Sequence, residues 1–490
     1  MSELYTFMNF RENPFSRFSA EEEKEYLKDI FVKPRYYPTI YNDIKSGGSR
    51  FVFGERGIGK SALVLNLMDD FQREKVFCVL IDDFDGISAK DNTKELLVFS
   101  MQKVITSFGL FLLKNKQCLA GISKIEKEKL TLFINTFFET LSKTQFYDLY
   151  DKTTHIRSIN ISKRIFNWFL LKPINTVLSG CSEFIGSTIS RALGLTAPIS
   201  HSTYKEYIAE LPETMHMNKI DSMTLSDRSL KTMLFELTSI IKNCGFNGVV
   251  LIYDKIDEYR LLGTNVSSIS GFIKDFVLDT ALLLNGNISL VFSFWSRIRQ
   301  PLADVGVRYD KLKPIDITWS NEELNDIINN RLSYFSDKKV IELKSIIPEK
   351  HIDTIIELTK QSPRHLIMLL SKIYDEQITI DAKSTMFCND AVEKGLANFA
   401  QNFDFGTFYG GNNPETVKKT VKTLLKIQKV EFESQDIVAA YKISTQAANG
   451  KIRTMLDYGL IDDITEGTKT KQYRISEPRI RFLIEYNYKL

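Results

Sequence analysis

The chain has 490 residues, of which 43% are hydrophobic and 26% charged, and its formal net charge is +3. These values are typical of a soluble globular protein of about three domains, and the charge neither demands nor excludes a nucleic-acid partner. The five cysteines form no C-x-x-C pair, which argues against a zinc site and a disulfide framework and indicates a reducing compartment. The first residues show no signal-peptide pattern, so we expect a cytoplasmic protein.

Residues 1–48 are predicted to be an N-terminal lead-in segment. Ser19, a good capping residue, is followed by three acids, which predicts the start of a helix. Two prolines further on favour an extended chain around Tyr36.

Residues 51–65, FVFGERGIGKSALVL, combine an apolar strand, a glycine-rich loop and a helix in the spacing G-x-x-x-x-G-K-S. The glycines let the backbone curl so that successive N–H groups face an anion, and the helix start adds its positive dipole end. Lys60 can reach the β- and γ-phosphates, and the Ser61 hydroxyl can ligate Mg²⁺. The residues predicted to bind the nucleotide are Gly54, Glu55, Arg56, Gly57, Ile58, Gly59, Lys60, Ser61 and Ala62.

This motif predicts ATP and Mg²⁺ as cofactors. In many P-loop proteins the segment before the loop lies against the adenine base, which makes Tyr36 a candidate base contact, together with Tyr37 and Ile40. The alternative is that these side chains form an aromatic cluster that closes the edge of the core. Both interpretations stay open.

Two further apolar runs, 76–81 and 249–253, predict parallel strands that are covered on both faces. The second run ends in Asp254, which is the Walker B pattern of a strand that delivers a carboxylate beside Mg²⁺. A phosphate loop followed by alternating strands and helices begins a three-layer α/β fold. We therefore expect a P-loop NTPase core over residues 49–310.

A large insertion, about residues 114–245, separates the two motifs and is predicted to be helical. Its most apolar part, residues 165–195, is interrupted by charged residues and a proline. A membrane span needs about twenty mostly apolar residues, so we expect no span here. An interfacial or partner-contacting hairpin and a helical insertion packed on the core both remain open.

The pattern from Asp254 to Glu258, DKIDE, resembles the D-x-h-D-E form of Walker B in STAND and NACHT-type ATPases, and more broadly the AAA+ relatives that include the Orc/Cdc6 initiators. In many AAA+ proteins a catalytic Glu directly follows the Asp beside Mg²⁺, and here Lys255 stands in that place. The resemblance therefore leaves Asp257 and Glu258 as joint candidates for the carboxylate that activates water.

The same resemblance implies further contacts to the γ-phosphate. In this class the strand after Walker B, here 288–294, ends in a polar or basic sensor 1 residue, and an Arg there can stabilise charge in phosphoryl transfer. The candidates are Ser293, Ser296 and Arg297.

Residues 311–400 resemble the helical lid of AAA+ proteins. Ser320 and Glu323 form a capping box that opens its first helix. Further on, residues 362–364 (Ser-Pro-Arg) resemble the sensor 2 motif, in which an Arg at a helix start points at the γ-phosphate. Arg364 is therefore the candidate lid contact.

The aromatic and glycine-rich stretch 403–413 marks a boundary. Residues 414–490 then show three helices and a β-hairpin, an order that resembles the C-terminal winged-helix domain of Orc/Cdc6-like proteins. Helix 444–458 would be the recognition helix, with exposed side chains at Thr445, Gln446, Asn449, Lys451 and Arg453. The domain has 14 Lys and Arg against 10 Asp and Glu, a weak excess for a DNA reader, so DNA contact and protein contact both stay open.

The resemblance as a whole implies an ATP-hydrolysing switch that couples nucleotide state to assembly or to partner binding, in bacteria often in antiphage or stress systems. It implies a homo-oligomer or a partner protein. Two alternatives stay open: an Orc/Cdc6-like protein that binds double-stranded DNA in an ATP-dependent manner, and a non-hydrolysing scaffold, because Lys255 replaces the usual Glu.

Overall fold

The computed structural model describes residues 3–90, 92–137, 225–263, 265–409, 413–465 and 471–488. Its central sheet has five parallel strands, which are β1 (Arg50–Gly54), β2 (Val76–Ile81), β3 (Gly248–Tyr253), β4 (Ser289–Trp295) and β5 (Ile315–Asp316). Their order across the sheet is β2-β3-β4-β1-β5. The end of β4 therefore lies between the phosphate loop after β1 and Asp254 after β3.

Alternate strand residues face opposite helical layers, as the two-residue period of a strand requires. On one face Val52 and Ile252 pack in a core with the helices Tyr37–Lys45 and Lys60–Arg73. The opposite layer consists of the helices Thr93–Lys114, Lys124–Phe137, Asp227–Asn243, Val266–Leu278 and Thr280–Leu283. Two short helices, Arg299–Asp304 and Tyr309–Leu312, connect β4 to β5. The α/β fold with a parallel sheet that the sequence predicts is confirmed.

One of the described helices, Thr93–Leu112, is long and apolar enough to cross a membrane by length and composition, and 67% of its most apolar stretch is buried inside the protein. That burial is what the core helix of a soluble protein also shows. Of the predicted insertion, about 114–245, the structure describes the beginning and the end, and the apolar stretch 165–195 lies outside the described residues.

A second helical unit, called the lid below, follows β5. Its helices are Asn321–Phe335, Ile352–Thr359, Pro363–Asp381 and Asn389–Gln401. The first begins with the capping box predicted from sequence, since Ser320 Oγ accepts from the Glu323 backbone N–H at 3.1 Å and the Glu323 carboxylate accepts from the Ser320 N–H at 2.8 Å.

The N-terminal segment packs on the lid rather than on the sheet alone. From residue 20 the chain folds in turns, and it becomes helical only over Leu27–Ile30. The prediction of a helix that starts at Ser19 is therefore wrong. The difference has a long-range cause, because Glu23 turns inward to Arg331 of the lid, with Oε1 and Nη1 2.5 Å apart. Both side chains are buried, and burial raises the pKa of Glu23 although Arg331 opposes the shift.

The C-terminal unit begins with the helix Pro414–Ile427. It contains a three-stranded antiparallel sheet in the order β6-β8-β7, whose strands are β6 (Glu431–Glu433), β7 (Ile461–Asp463) and β8 (Gln472–Ile475). The remaining helices are Ser434–Tyr441, Thr445–Asp457 and Pro478–Glu485. The assignment of this unit to the winged-helix class stays a prediction.

The last helix, Pro478–Glu485, is shared by two hydrophobic cores. Ile480 and Ile484 belong to the core of the C-terminal unit, whereas Phe482 and Leu483 belong to the core that includes the lid. A helix divided in this way fixes the C-terminal unit to the lid.

Acid is expected to destabilise the lid through His365. Burial and the positive charge of Arg479 lower the pKa of His365 to about 3. An unfolded histidine takes up a proton near pH 6.5, so between that pH and pH 3 only the unfolded chain is protonated there, and stability falls by up to about 1.4 kcal/mol per pH unit. We expect the urea midpoint to fall between pH 7 and pH 5, and less steeply in His365→Phe.

The matched control is His351→Phe, which removes another histidine of the lid. An equal pH dependence of the urea midpoint in the wild type and in His365→Phe would contradict the prediction.

Candidate functional site

The two predicted nucleotide motifs meet at the carboxyl ends of β1 and β3, the edge at which ligands bind in open α/β sheets. A cleft that is partly open to solvent lies there between the sheet and the lid. Its walls come from the phosphate loop, the residues after β3, the N-terminal segment and the start of a lid helix. The lining residues are Phe18, Ser19, Ala20, Glu23, Arg56, Gly57, Gly59, Lys60, Ser61, Ala62, Asp254, Lys255, Asp257, Glu258, Pro363, Arg364 and Ile367.

Two carbonyl oxygens of the phosphate loop accept hydrogen bonds from groups outside it. Gly57 and Gly59 have φ angles of +80° and +98°, which glycine adopts without strain. The Ile58 carbonyl accepts from Trp319 Nε1 at 2.7 Å, and the Gly57 carbonyl accepts from Ser362 Oγ at 3.1 Å. Left-handed glycines of this kind let a loop direct successive N–H groups at an anion.

Lys60 opens the helix after the loop. Its Nζ donates to the carbonyl oxygens of Gly54 at 3.0 Å and Glu55 at 3.2 Å. Burial lowers the pKa of Lys60, whereas the Asp257 and Asp254 carboxylates raise it. A phosphate oxygen in the cleft can replace the two carbonyls as the acceptor, and it would keep the ammonium charge paired in a poorly solvated place.

Ser61 and Asp254 are 193 positions apart in sequence and come together through the sheet, with Ser61 Oγ donating to Asp254 Oδ2 at 2.7 Å. Asp254 is 3% exposed, and burial raises its pKa. On the neighbouring strand β4 the buried hydroxyl of Ser293 also faces Asp254, and its hydrogen bonding opposes the rise in the pKa of Asp254. Two hydroxyl groups beside a buried carboxylate form a set of oxygen ligands that suits Mg²⁺.

Within the described residues no group of three or more His, Cys, Asp or Glu side chains is placed to hold a metal. This does not conflict with a magnesium site, because Mg²⁺ is usually held by one or two carboxylates together with water and substrate phosphates. The residues present therefore fit Mg²⁺ as the partner of a nucleotide. When bound, the ion would neutralise charge on the phosphates.

Lys255 follows Asp254 in a left-handed conformation, with φ +59°. Its Nζ lies 2.7 Å from Glu21 Oε1 and 4.0 Å from Asp82 Oδ2. Burial alone would lower the pKa of Lys255, but the hydrogen bond and charge of Glu21 raise it overall. The side chain is therefore a cation that ties the N-terminal segment to the end of β3.

The lid reaches the cleft through Arg364, in the first turn of the helix Pro363–Asp381. The Arg364 backbone N–H donates to the Gly57 carbonyl at 3.3 Å, and Nε donates to the Phe18 carbonyl at 3.2 Å. The guanidinium thus lies in the same cleft as Lys60. A shift of the lid would move it relative to the phosphate loop.

Replacing Gly57 by alanine is expected to weaken nucleotide binding about tenfold. The left-handed φ strains any L-residue in the free and in the bound protein alike, so the loss of affinity comes from the contact with the lid, and about 1.4 kcal/mol there corresponds to a factor of ten. The added Cβ would also lie 3.1 Å from Arg364 Cβ and from Ser362 Oγ, so it would press the lid away. Titration with a fluorescent ADP analogue measures the change.

The control for this prediction is Gly86→Ala, at a glycine with φ +93° where an added Cβ would meet nothing within 4 Å. It carries the same backbone strain without touching the cleft. Equal nucleotide affinities of the two variants would contradict the role given to the contact between the phosphate loop and the lid.

Five predicted site residues lie outside the lining of the cleft: Gly54, Glu55 and Ile58, which belong to the phosphate loop itself, and the more distant Tyr36 and Arg297. Tyr36 packs against the core formed with the first helical layer. Arg297 donates through Nη1 to the Tyr409 carbonyl, and its guanidinium lies 5.2 Å from the centre of the Trp295 ring. Arg297 therefore faces the connection to the C-terminal unit instead of the phosphate loop.

Several contacts of the site have no signal in the sequence. Trp319 and Trp295 each donate a hydrogen bond to the phosphate loop. The Trp295 bond runs from Nε1 to Glu55 Oε2 at 2.9 Å. Phe18 and Ile367 line the cleft from the N-terminal segment and the lid. No spacing rule marks such residues, because each acts through a contact with a distant part of the chain.

Comparison with solved structures gives distant similarities. The ORC2 protein of Aeropyrum pernix, in its ADPNP–ADP complexes, aligns with 98% of this chain and 99% of its own at 9% identity, with a TM-score of 0.40. Its ADP form aligns with 98% of this chain and 96% of its own at 10% identity, with a TM-score of 0.33. A mutant RuvB of Thermotoga maritima covers 53% of this chain and 84% of its own at 17% identity, with a TM-score of 0.25.

No protein-family model and no curated protein matches the chain. TM-scores this low cannot support a functional argument. The function proposed next therefore depends on the geometry of the cleft.

Proposed function

We propose that the chain is a nucleotide-dependent ATPase that acts as a molecular switch, binding Mg²⁺–ATP between its sheet and its lid. The observation that carries the proposal is the 2.7 Å contact of Ser61 with Asp254, next to Lys60. These groups come from two separate motifs, after β1 and after β3, and they meet at one edge of the sheet. A glycine-rich turn without a role in nucleotide binding would give no reason for a hydroxyl, a carboxylate and a lysine from two motifs to meet at one place.

The cleft has a polar part and an apolar part, as a nucleotide requires. The phosphate loop, Lys60 and Arg364 offer positive charge and N–H donors to the phosphates. Phe18, Ala20 and Ile367 offer an apolar surface to a base. On this proposal Tyr36 stays a candidate base contact only if the lid and the N-terminal segment rearrange.

The switch behaviour follows from the two partners of the Gly57 carbonyl, which are Ser362 Oγ and the Arg364 N–H. Phosphates bound to the loop would act directly on a segment that holds the lid. A ligand shifts such an equilibrium only by its difference in affinity for the two lid positions. We propose that the output is assembly with other copies or with a partner protein in the cytoplasm, and the resemblance to STAND ATPases supports antiphage defence as the setting.

Steady-state ATP turnover of the purified chain tests the ATPase proposal, with Lys60→Ala as the blank. We expect slow turnover that the blank lacks. Tight ATP binding without turnover above the blank would instead favour the non-hydrolysing scaffold. The replacement of the usual Glu by Lys255 would then account for the missing hydrolysis.

A second candidate function is DNA binding by the C-terminal unit. The helix Thr445–Asp457 carries exposed polar side chains at Thr445, Gln446, Asn449 and Arg453. Lys451 is less available, because its Nζ lies 5.0 Å from the centre of the Tyr441 ring.

Duplex binding measured against salt tests this candidate. Contacts to phosphates require an affinity that falls steeply as salt rises, and turnover raised by DNA would link the duplex to the ATPase. Absence of binding at low salt would exclude the DNA-binding function and leave the ATPase proposal untouched.

A further inference from the structure

Asp257 and Glu258 are neighbours in sequence, and both line the cleft, but their surroundings differ. Asp257 is 6% exposed, and its Oδ2 accepts from Arg56 Nε at 3.0 Å. The Asp257 backbone carbonyl also accepts from Arg56 Nη2 at 2.8 Å. One guanidinium therefore fixes both the side chain and the backbone of Asp257.

Arg56 is itself held in place from the other side. It belongs to the phosphate loop, and its guanidinium lies 4.7 Å from the centre of the Trp295 ring. The Trp295 indole in turn donates to Glu55, the residue before Arg56. Asp257 is thus part of a brace that joins the turn after β3 to the phosphate loop and to the end of β4.

Glu258 is exposed at the mouth of the cleft. In the part of the chain that the structure describes, its carboxylate has no hydrogen-bond or ion-pair partner, whereas the other carboxylates of the lining are engaged. Glu23 pairs with Arg331, Asp254 accepts from Ser61, and Asp257 accepts from Arg56. Glu258 is therefore the lining carboxylate that is available to a water molecule.

We propose that the two acids have different roles. Asp257 is a positioning residue that holds the phosphate loop in place through Arg56, and Glu258 is the base that orients the attacking water. The inference rests on the proposed ATPase function and assigns its catalytic carboxylate. A carboxylate held by a guanidinium through both its side chain and its backbone has its oxygen engaged and cannot turn towards a water molecule. A carboxylate without such a partner can turn towards the water.

In the hydrolytic step the water oxygen forms a bond to the γ-phosphorus while the bond from that phosphorus to the bridging oxygen breaks. The bridging oxygen leaves with the electron pair as part of ADP. Glu258 accepts one proton from the water and later releases it to solvent. The products are ADP, inorganic phosphate and one proton, so the step needs no further reactant.

The surroundings of Glu258 support this role. Partial loss of solvation within the cleft and the negative charge of the neighbouring Asp257 raise the pKa of Glu258 above its usual range. The positive charges of Lys255 and Arg364 oppose this shift. A base works best when its pKa is close to the working pH. Glu258 and Arg364 line the same cleft, so closure of the lid would bring the two side chains together.

The test compares Glu258→Gln, Asp257→Asn and Arg56→Ala, each measured for turnover and for affinity towards a fluorescent ADP analogue. For Glu258→Gln we expect kcat to fall about 10²- to 10⁴-fold, the usual contribution of a positioned base, with nucleotide affinity unchanged. For Asp257→Asn and Arg56→Ala we expect affinity to fall about tenfold, as for the loss of one charge-assisted hydrogen bond, with a smaller change in kcat. The double variant should bind no more weakly than either single one, because the two residues act as a unit.

Thermal melts show whether each variant is folded, and Arg56→Ala reports on the brace if Asp257→Asn does not fold. Unimpaired turnover in Glu258→Gln, or loss of turnover in Asp257→Asn at unchanged affinity, would overturn the inference alone. A wild-type chain that binds nucleotide without any turnover would overturn the ATPase function and the role of Glu258 with it.

Discussion

Lys60→Ala is expected to weaken nucleotide binding at least about 100-fold, which corresponds to ~2.7 kcal/mol, and to reduce ATP turnover to background. The Lys60 ammonium group lies in the cleft, and the Asp254 and Asp257 carboxylates act on it. Asp257 is already paired with Arg56, so without Lys60 a triphosphate would face the Asp254 charge with one cation fewer in a poorly solvated cleft, where repulsion is weakly screened. Calorimetric titration with ATP and with ADP measures the loss.

The control for this variant is Lys422→Ala, at an exposed lysine on the helix Pro414–Ile427. It removes the same charge far from the cleft and should bind nucleotide as the wild type does. Binding by Lys60→Ala within a few-fold of this control would contradict the placement of the nucleotide on the phosphate loop.

Arg479→Ala is expected to lower the free energy of unfolding by about 3–5 kcal/mol, the usual cost of breaking a buried ion pair on one side. Arg479 and Glu477 are both fully buried, with Nε and Oε1 3.5 Å apart. Arg479 Nε also donates to the Leu358 carbonyl of the lid at 2.8 Å, and the guanidinium lies 3.7 Å from the centre of the Phe403 ring. Its removal would leave Glu477 buried with a weaker partner, Lys360, at 3.6 Å.

Urea unfolding and limited proteolysis measure this effect. Because Arg479 joins the C-terminal unit to the lid, we expect faster cleavage in the connection 402–413. The control is Arg474→Ala in the same unit, whose exposed ion pair with Glu431 should be worth no more than about 1 kcal/mol. Equal urea midpoints for the Arg479→Ala and Arg474→Ala variants would contradict the prediction.

The glycine-rich loop after β1 and the apolar strand β3 that ends at Asp254 are predictable from sequence because each is a local pattern. A strand, a glycine-rich turn and a helix start lie within fifteen residues, 51–65, and no distant partner is needed to recognise them. The capping box at Ser320 is local in the same sense and is confirmed. Parallel strands with apolar runs also specify that the two motifs end at one edge of a sheet, which is why Ser61 and Asp254 meet.

The unpredicted parts of the site depend on contacts between distant residues. Helix propensity favoured a helix at Ser19, but the buried pairing of Glu23 with Arg331, 308 positions away (331 − 23), determines the local chain. In the same way, a glycine-loop pattern cannot reveal that Arg56 will grip Asp257 or that Arg297 will turn to Tyr409. Side chains of one type, such as Asp257 and Glu258, become distinguishable only when their partners are known.

The attachment of the N-terminal segment to the lid has a consequence for biosynthesis. The Pro14 carbonyl accepts from Arg331 Nε across 317 positions, and the Tyr5 N–H donates to the Tyr374 hydroxyl across 369. A ribosome adds about 5–20 residues per second, so Arg331 is synthesised roughly 16–60 s after Pro14. During that time aromatic residues such as Phe15 have no lid to cover them, and contacts of such long range also slow folding. We therefore expect a nascent chain that ends before residue 331 to depend on chaperones, and the cleft to close only when synthesis of the lid is complete.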